Sequence, residues 1–285
     1  MAAVRTTDSR RLSLRTLTFV LAVLMLALSP PGATAQTLPY HSDPTAREPV
    51  PNLSAVPNIR FLTTADFPPF NYRDKSGELV GYNVDLARAI CADLAITCTI
   101  QAWPWEQAGK ALEDGQGDAL IAGLAMSKDN GALYDFSDIY LMLPGRFVTL
   151  KDAAQSFDPK ALSGKSVAVR KGSSHEEFVH RYLPDAKVAE FDSETAALEA
   201  VRDKKADAYF GDAMRASFWF NDNADCCSFA GPAYFRPDLF GDGLSVAVAP
   251  GHDVVRQAID YSLARLKKSG KLDELYLRWF PIGFY

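Results

Sequence analysis

Histidine and cysteine are scarce in this chain, four of each in 285 residues, and they are scattered. A transition-metal site needs three or four such ligands at set spacings, so no metal centre is expected. No glycine-rich phosphate loop and no nucleophile–base constellation is readable either, so no catalytic residue, cofactor or enzyme activity is expected. Positive charge is also in deficit, with 30 Lys and Arg against 35 Asp and Glu. A mildly acidic surface does not suit a phosphate backbone, which excludes nucleic acid as a partner. Finally, no apolar run reaches the roughly 20 residues of a membrane-spanning helix.

What is present begins with a shorter apolar run, Leu17 to Leu28, preceded by Arg5, Arg10, Arg11 and Arg15. Pro30, Pro31 and Gly32 break it, and the small residues Ala33-Thr34-Ala35 end it. That order is the pattern of a secretory signal peptide over residues 1–35, cleaved after Ala35. No Cys follows the run, which argues against a lipid anchor. Ser9 to Arg15 also has a faint twin-arginine character, beside its reading as an ordinary basic segment. Removal of residues 1–35 takes away four Arg and one Asp, leaving 30 − 4 = 26 basic and 35 − 1 = 34 acidic residues, a net charge of −8. Residues 36–57 hold five prolines and few large apolar side chains, and read as a flexible leader.

Beyond the leader the pattern is α/β. Ile59 to Thr63 is a short apolar strand, and Phe67-Pro68-Pro69-Phe70 a stiff aromatic loop that cannot be helical. Gly81 to Leu86 opens a helix with Ala87, Ile90, Cys91 and Leu94 on one face. Further on, Ser166 to Arg170, Val188 to Phe191 and Asp207 to Gly211 read as strands. Ser174 with Glu177 forms a capping-box pattern, Ser193 can cap the helix from Glu194, and Asp212 opens another. Leu244 to Ala249 is a returning strand, and the apolar spacing from Val254 to Leu266 marks a long amphipathic helix ended by Gly270. One unit recurs. Ala111 to Gly123 and Ala200 to Asp212 both read as helix end, polar turn, Asp-Ala and buried strand, which suggests two α/β lobes, each with its own sheet.

The order of Ile59 to Thr63, the aromatic–proline loop, Leu79-Val80-Gly81-Tyr82-Asn83-Val84-Asp85-Leu86-Ala87, and Asp135-Phe136-Ser137-Asp138-Ile139-Tyr140 resembles the periplasmic solute-binding proteins of family 3. The likeness is to the polar amino-acid-binding type, with lysine/arginine/ornithine- and histidine-binding proteins as its examples. It continues through Phe229-Ala230-Gly231-Pro232, Leu239 to Gly243 and the closing Leu263 to Phe280. The resemblance implies a type II periplasmic binding protein fold: two lobes, each a sheet flanked by helices, joined by a two-crossing hinge. The expected divisions are 58–148 plus 244–285 for the first lobe and 149–243 for the second. It also implies a monomer that delivers a small solute to an ABC permease in the inner membrane. The spacing of Cys91 and Cys98 suits a local disulfide in an oxidising compartment, and the resemblance implies that bridge. Adjacent Cys226 and Cys227 are either two buried thiols or a vicinal disulfide.

Carried residue by residue, the resemblance makes Asp212 the partner of a ligand ammonium; the same residue also suits a helix N-cap. Ser173 and Ser174 match a carboxylate-binding helix start, and capping is compatible with that. Phe67 and Trp105 match the aromatic walls around the ligand side chain, or are ordinary core. The departures are as informative. Asn130 stands where the family places an arginine, and an amide cannot replace a planar bidentate cation. Ala122, Gly123 and Ala125 replace hydroxyl residues, and Thr64 an acidic one. Arg170 falls where an apolar residue faces the ligand; it either supplies a cation from the second lobe or ends a strand in solvent. Three functions follow: a receptor for a small polar or anionic, amino-acid-like solute; a ligand-poor periplasmic partner of a quinoprotein alcohol dehydrogenase; and, third, a cyclohexadienyl dehydratase-like enzyme on the same scaffold.

Overall fold

A computed structural model of the chain describes residues 49–126, 129–280 and 282–285. The signal peptide and most of the leader lie outside the described residues, as do Ser127 and Lys128. The leader expected to reach Pro57 is anchored before its end. Leu53–Ala55 form a 3-10 turn, and Val56 is buried in the same core cluster as Ile59 and Phe61.

Two five-stranded sheets carry the molecule. The first is built from β1 (Asn58–Thr63), β5 (Thr97–Ala102), β6 (Ala119–Leu120), β7 (Asp135–Phe136) and β13 (Ala247–Val248), in the order β5-β1-β6-β13-β7. The second is built from β8 (Gly145–Leu150), β9 (Ser166–Arg170), β10 (Lys187–Phe191), β11 (Ala208–Asp212) and β12 (Cys227–Tyr234), in the order β10-β9-β11-β8-β12. In each, three parallel strands are followed by one antiparallel strand, β13 or β8, and by an outer strand that pairs antiparallel with it. A small antiparallel sheet of β2 (Asp66–Phe67), β3 (Asn71–Arg73) and β4 (Leu79–Val80) sits beside the first. β8 pairs within the second sheet along most of its length, so the chain crosses before Gly145 and not at Val148. A strand cannot switch sheets midway without abandoning its ladder bonds.

The period-2 alternation decides the two faces of each sheet. Ile59, Phe61, Ala119 and Ile121 enter one core while Leu62, Leu120 and Ala122 enter another. In the second sheet Val148, Ala168 and Tyr209 face one way, and Phe147, Val167, Val169, Ala208 and Phe210 the other. The helices cover these faces: α1 (Tyr82–Leu94) and α2 (Trp105–Glu113) on the first lobe, α4 (Ser174–Tyr182), α5 (Glu194–Arg202) and α6 (Ala213–Asn223) on the second, with short α3 (Lys151–Ala154) and α7 (Pro237–Phe240) between strands. The last two, α8 (Asp253–Lys268) and α9 (Lys271–Trp279), return to the first lobe, and Gly270 separates them in a left-handed conformation with φ 75°. Among the described residues no helix is long and apolar enough to cross a membrane.

The repeated unit has the same local chemistry in both lobes. Asp118 Oδ2 accepts from the backbone N–H of Arg60 at 2.8 Å, and Asp207 Oδ2 accepts from that of Ser166 at 2.8 Å. Each aspartate therefore pins the main chain of a neighbouring parallel strand. Cys91 and Cys98 are bridged, tying α1 to β5, and Cys226 and Cys227 are bridged as well.

The C-terminal tail joins the lobes. Phe284 is fully buried in the first-lobe core, Ile282 packs on the second-lobe core, and Tyr285 stacks on Phe235. The buried Arg146 of β8 donates to the carbonyl oxygens of Phe284 (3.2 Å) and Gly231 (3.0 Å) and lies 4.6 Å over the Phe229 ring.

Candidate functional site

Ligands of open α/β sheets bind outside the carboxyl ends of the strands. In the second sheet β9, β10 and β11 run parallel and end at Arg170, Phe191 and Asp212. In the first, β1 ends at Thr63 and leads into Asp66, Phe67 and Pro68. A cavity of about 680 Å³ lies where these ends meet. Its apolar wall comes from Phe67 and Pro68 of the first lobe and from Leu198, Met214, Phe218 and Trp219 of the second. Its charged groups are Asp66 on one side and Arg170, Asp192, Glu194 and Arg215 on the other.

Phe67 is held in place by its neighbours. It stacks on Phe70 with 4.9 Å between ring centroids, and Gly123 leaves room for it. A Cβ at position 123 would stand 2.7 Å from the Phe67 ring, at a backbone φ of 78° that suits only glycine.

Arg170 also lines the cavity, and its main chain is fixed by Ser173, whose Oγ donates to the Arg170 carbonyl at 2.6 Å. The same Oγ accepts from the Glu176 N–H at 3.2 Å, while Glu176 Oε2 accepts from the Gly172 N–H at 2.6 Å. The capping box expected at Ser174 and Glu177 therefore sits one residue earlier. Gly172 turns with φ 69°, which leaves Ser173 extended and makes Ser174 the first helical residue. Ser173 is buried and Ser174 exposed, and neither lines the cavity.

Trp105 is the first residue of α2 and is 49% exposed, outside the cavity lining. Asn130 lies in a 3-10 turn and donates from Nδ2 to the Ala125 carbonyl at 2.9 Å; it does not line the cavity either. Asp212 caps α6, accepting from the Arg215 N–H at 2.9 Å, and lies just behind the lining. The sequence-predicted residues the structure brings to the cavity are thus Phe67 and Arg170, with Asp212 adjoining.

Two residues that sequence reasoning missed, Glu194 and Arg215, join Arg170 and Asp212 in a charged cluster. Glu194 follows its N-cap Ser193 and looks like an ordinary acidic first-turn residue. Its side chain is 11% exposed, accepts from the Tyr209 hydroxyl at 3.2 Å, and stands 3.5 Å from Arg170 Nε and 3.9 Å from Arg215 Nε. Burial pushes its carboxyl up to about 7, with the Asp212 charge adding to the rise and the two arginines and Tyr209 opposing it. Burial likewise raises Asp212, against the hydrogen bonds at the start of α6. Arg215 lies three residues past Asp212, one helical turn on. That offset is the signal by which it could have been found.

Comparison with known proteins bears on this geometry. Residues 59–282 match the family described as bacterial extracellular solute-binding proteins, family 3. The "Putative ABC transporter arginine-binding protein 2" of Escherichia coli (strain K12) is 30% identical over 227 residues, covering 80% of this chain and 92% of that protein. Among solved structures, an ancestral cationic amino acid solute-binding protein is 26% identical, with a TM-score of 0.64 over 80% of this chain and 97% of the other. The L-cystine solute receptor of Neisseria gonorrhoeae, in its unliganded open conformation, shares the fold with a TM-score of 0.70 at 21% identity, over 79% and 92% of the two chains. By the span of its match and the two-lobed α/β fold with a cleft at the strand ends, the chain belongs to the bacterial extracellular solute-binding proteins, family 3.

Proposed function

We propose that this protein is the periplasmic solute-binding receptor of an ABC-type importer, holding a small polar or anionic, amino-acid-like solute between its lobes. The observation that carries the reading is the cavity of about 680 Å³ at the carboxyl ends of both sets of parallel strands, with an aromatic wall facing two arginines. That volume suits a small molecule and is far too small for a macromolecule. Relatives named for arginine binding support the same class of solute. The signal sequence would deliver the protein to the periplasm, and a permease of the inner membrane would receive the solute. The protein acts as a monomer without catalysing a reaction. The reading is tested by a thermal-shift screen of the mature protein against amino acids, dicarboxylates and amines, followed by calorimetry of the hits. Saturable binding of one class is expected. A silent panel overturns the receptor role in favour of the partner-protein role, beside a periplasmic dehydrogenase.

A second reading draws on one observation. Glu194, raised to about 7, stands beside two arginines, and an acid beside carboxylate anchors is what dehydration of a cyclohexadienyl acid requires. Growth of an aromatic absorbance on incubation with such an acid, lost in Glu194→Gln, would favour the enzyme.

A further inference from the structure

We propose that the carboxylate clamp of this protein resides in the second lobe, where Arg170 and Arg215 grip the carboxylate of a monoanionic solute and Glu194 occupies their guanidiniums when no solute is bound. This rests on the receptor reading above and assigns its specificity. In the first lobe the positions at which the family resemblance places a carboxylate site carry Asn130, Ala122, Gly123 and Ala125, which supply no cation, and the Asn130 amide is engaged with the Ala125 carbonyl. None of the four lines the cavity. The cations that do line it are Arg170, at the end of β9, and Arg215, in the first turn of α6. Their side chains are 49% and 57% exposed, so both heads are open to a ligand on one side. On the other side both face Glu194, which is 11% exposed. A guanidinium has five donors in a planar fork, more than one distant carboxylate can use, so each arginine keeps donors for a second anion.

The remaining lining selects the rest of the solute. Phe67, Pro68, Phe218 and Trp219 offer apolar surface for its body. The exposed Asp66 and Asp192 oppose a second negative charge, which favours a monocarboxylate over a dicarboxylate, and they welcome an ammonium.

Binding is then linked to a proton. The charged groups facing Glu194 are Arg170 from β9, Asp212 at the start of α6, and Arg215 from α6; Tyr209 of β11 donates to it, and Asp192 precedes it at the end of β10. A solute carboxylate arriving between the arginines adds a like charge and weakens their hold on Glu194. Its carboxyl, already near 7, is driven higher, so binding takes up a proton and affinity rises as pH falls through neutrality.

The test is calorimetry with two matched pairs, L-arginine against agmatine and L-phenylalanine against phenethylamine, which differ within each pair by the carboxylate. Carboxylate-bearing members are expected to bind more tightly than their amines. Arg170→Ala and Arg215→Ala should each weaken them about tenfold to a hundredfold. Glu194→Gln should tighten them and abolish the proton uptake, read from the heats in buffers of different ionisation enthalpy. Amine and amino acid binding alike, or binding indifferent to both arginine variants, overturns the clamp and leaves the receptor reading intact. Failure of all four compounds to bind the native protein overturns the clamp, and silence of the whole panel of amino acids, dicarboxylates and amines overturns the receptor reading as well.

Discussion

A single carboxyl, Glu194, shows how burial and neighbours set a side chain's chemistry. Unfolded, it titrates near its ordinary value of 4.5; folded, near 7, because burial disfavours its charge and Asp212 repels it. A raised carboxyl binds its proton more tightly in the folded state. Its contribution to stability is therefore fully present below about pH 4.5 and is lost as pH rises to about 7. Glu194→Gln removes that dependence. Between pH 5 and 8 the melting temperature of the native protein should fall more steeply than that of the variant, the gap corresponding to roughly 2–3 kcal/mol at most. Parallel melting curves at all pH values would rule out the raised carboxyl. Asp212 moves in the same direction in both proteins, and because its charge repels Glu194, part of the gap is the coupling between the two carboxyls.

At the level of elements, caps and cross-links decide where helices begin and what they hold. Ser173 ends one turn, caps α4 and fixes the main chain of Arg170 through one hydroxyl. Ser174, one residue on, is an exposed first-turn residue. Loss of a capping hydroxyl costs about 1 kcal/mol, and a solvent-facing serine far less. Urea denaturation of Ser173→Ala and Ser174→Ala should show that ordering, and equal losses would place the cap elsewhere. The Cys91–Cys98 bridge acts at the same scale. It closes a short loop between α1 and β5, the edge strand of the first sheet, which pairs with β1 along its length.

At the scale of the whole molecule the question is what holds two lobes together while leaving a cleft. Phe280 is central: it packs against Phe70, Tyr82, Tyr276 and Phe284 of the first lobe and, edge-on, against Phe218 of α6 in the second. Arg146 ties β8 to the C-terminal tail through the Phe284 carbonyl and to β12 through the Gly231 carbonyl, and burial lowers its guanidinium pKa. Removing it leaves two carbonyls without these bonds. Arg146→Ala is expected to cost about 2–3 kcal/mol, and Arg146→Met less, because the apolar stem still fills the space over Phe229. Chemical denaturation checks this, and an Arg146→Met at least as damaging as Arg146→Ala would show that the charge, not the packing, matters.

Much of this molecule was legible in the chain itself. The strand at Ile59, the helix from Tyr82, the N-caps Ser193 and Asp212, and the Asp-Ala repeat all rest on interactions between residues close in sequence, or on an alternation that one strand displays alone. Local chemistry suffices for those. Phe67 and Arg170 were legible as candidates through the family resemblance, which sets Phe67 in the aromatic wall and Arg170 at a position facing the ligand. The cluster around Glu194 was not legible. Arg170, Glu194, Tyr209 and Arg215 come from four segments spread over 46 positions, and each has an ordinary local explanation as a strand end, a first-turn acid, a core aromatic or a helix surface residue. The crossing before Gly145 and the engagement of Asn130 with Ala125 were hidden for the same reason. The sequence by itself determined most of the elements and the two-sheet α/β pattern, because those follow from short-range spacing. Only the tertiary structure decided which charges share the cleft, because a raised carboxyl between two arginines exists only where packing has removed water and brought distant strand ends together.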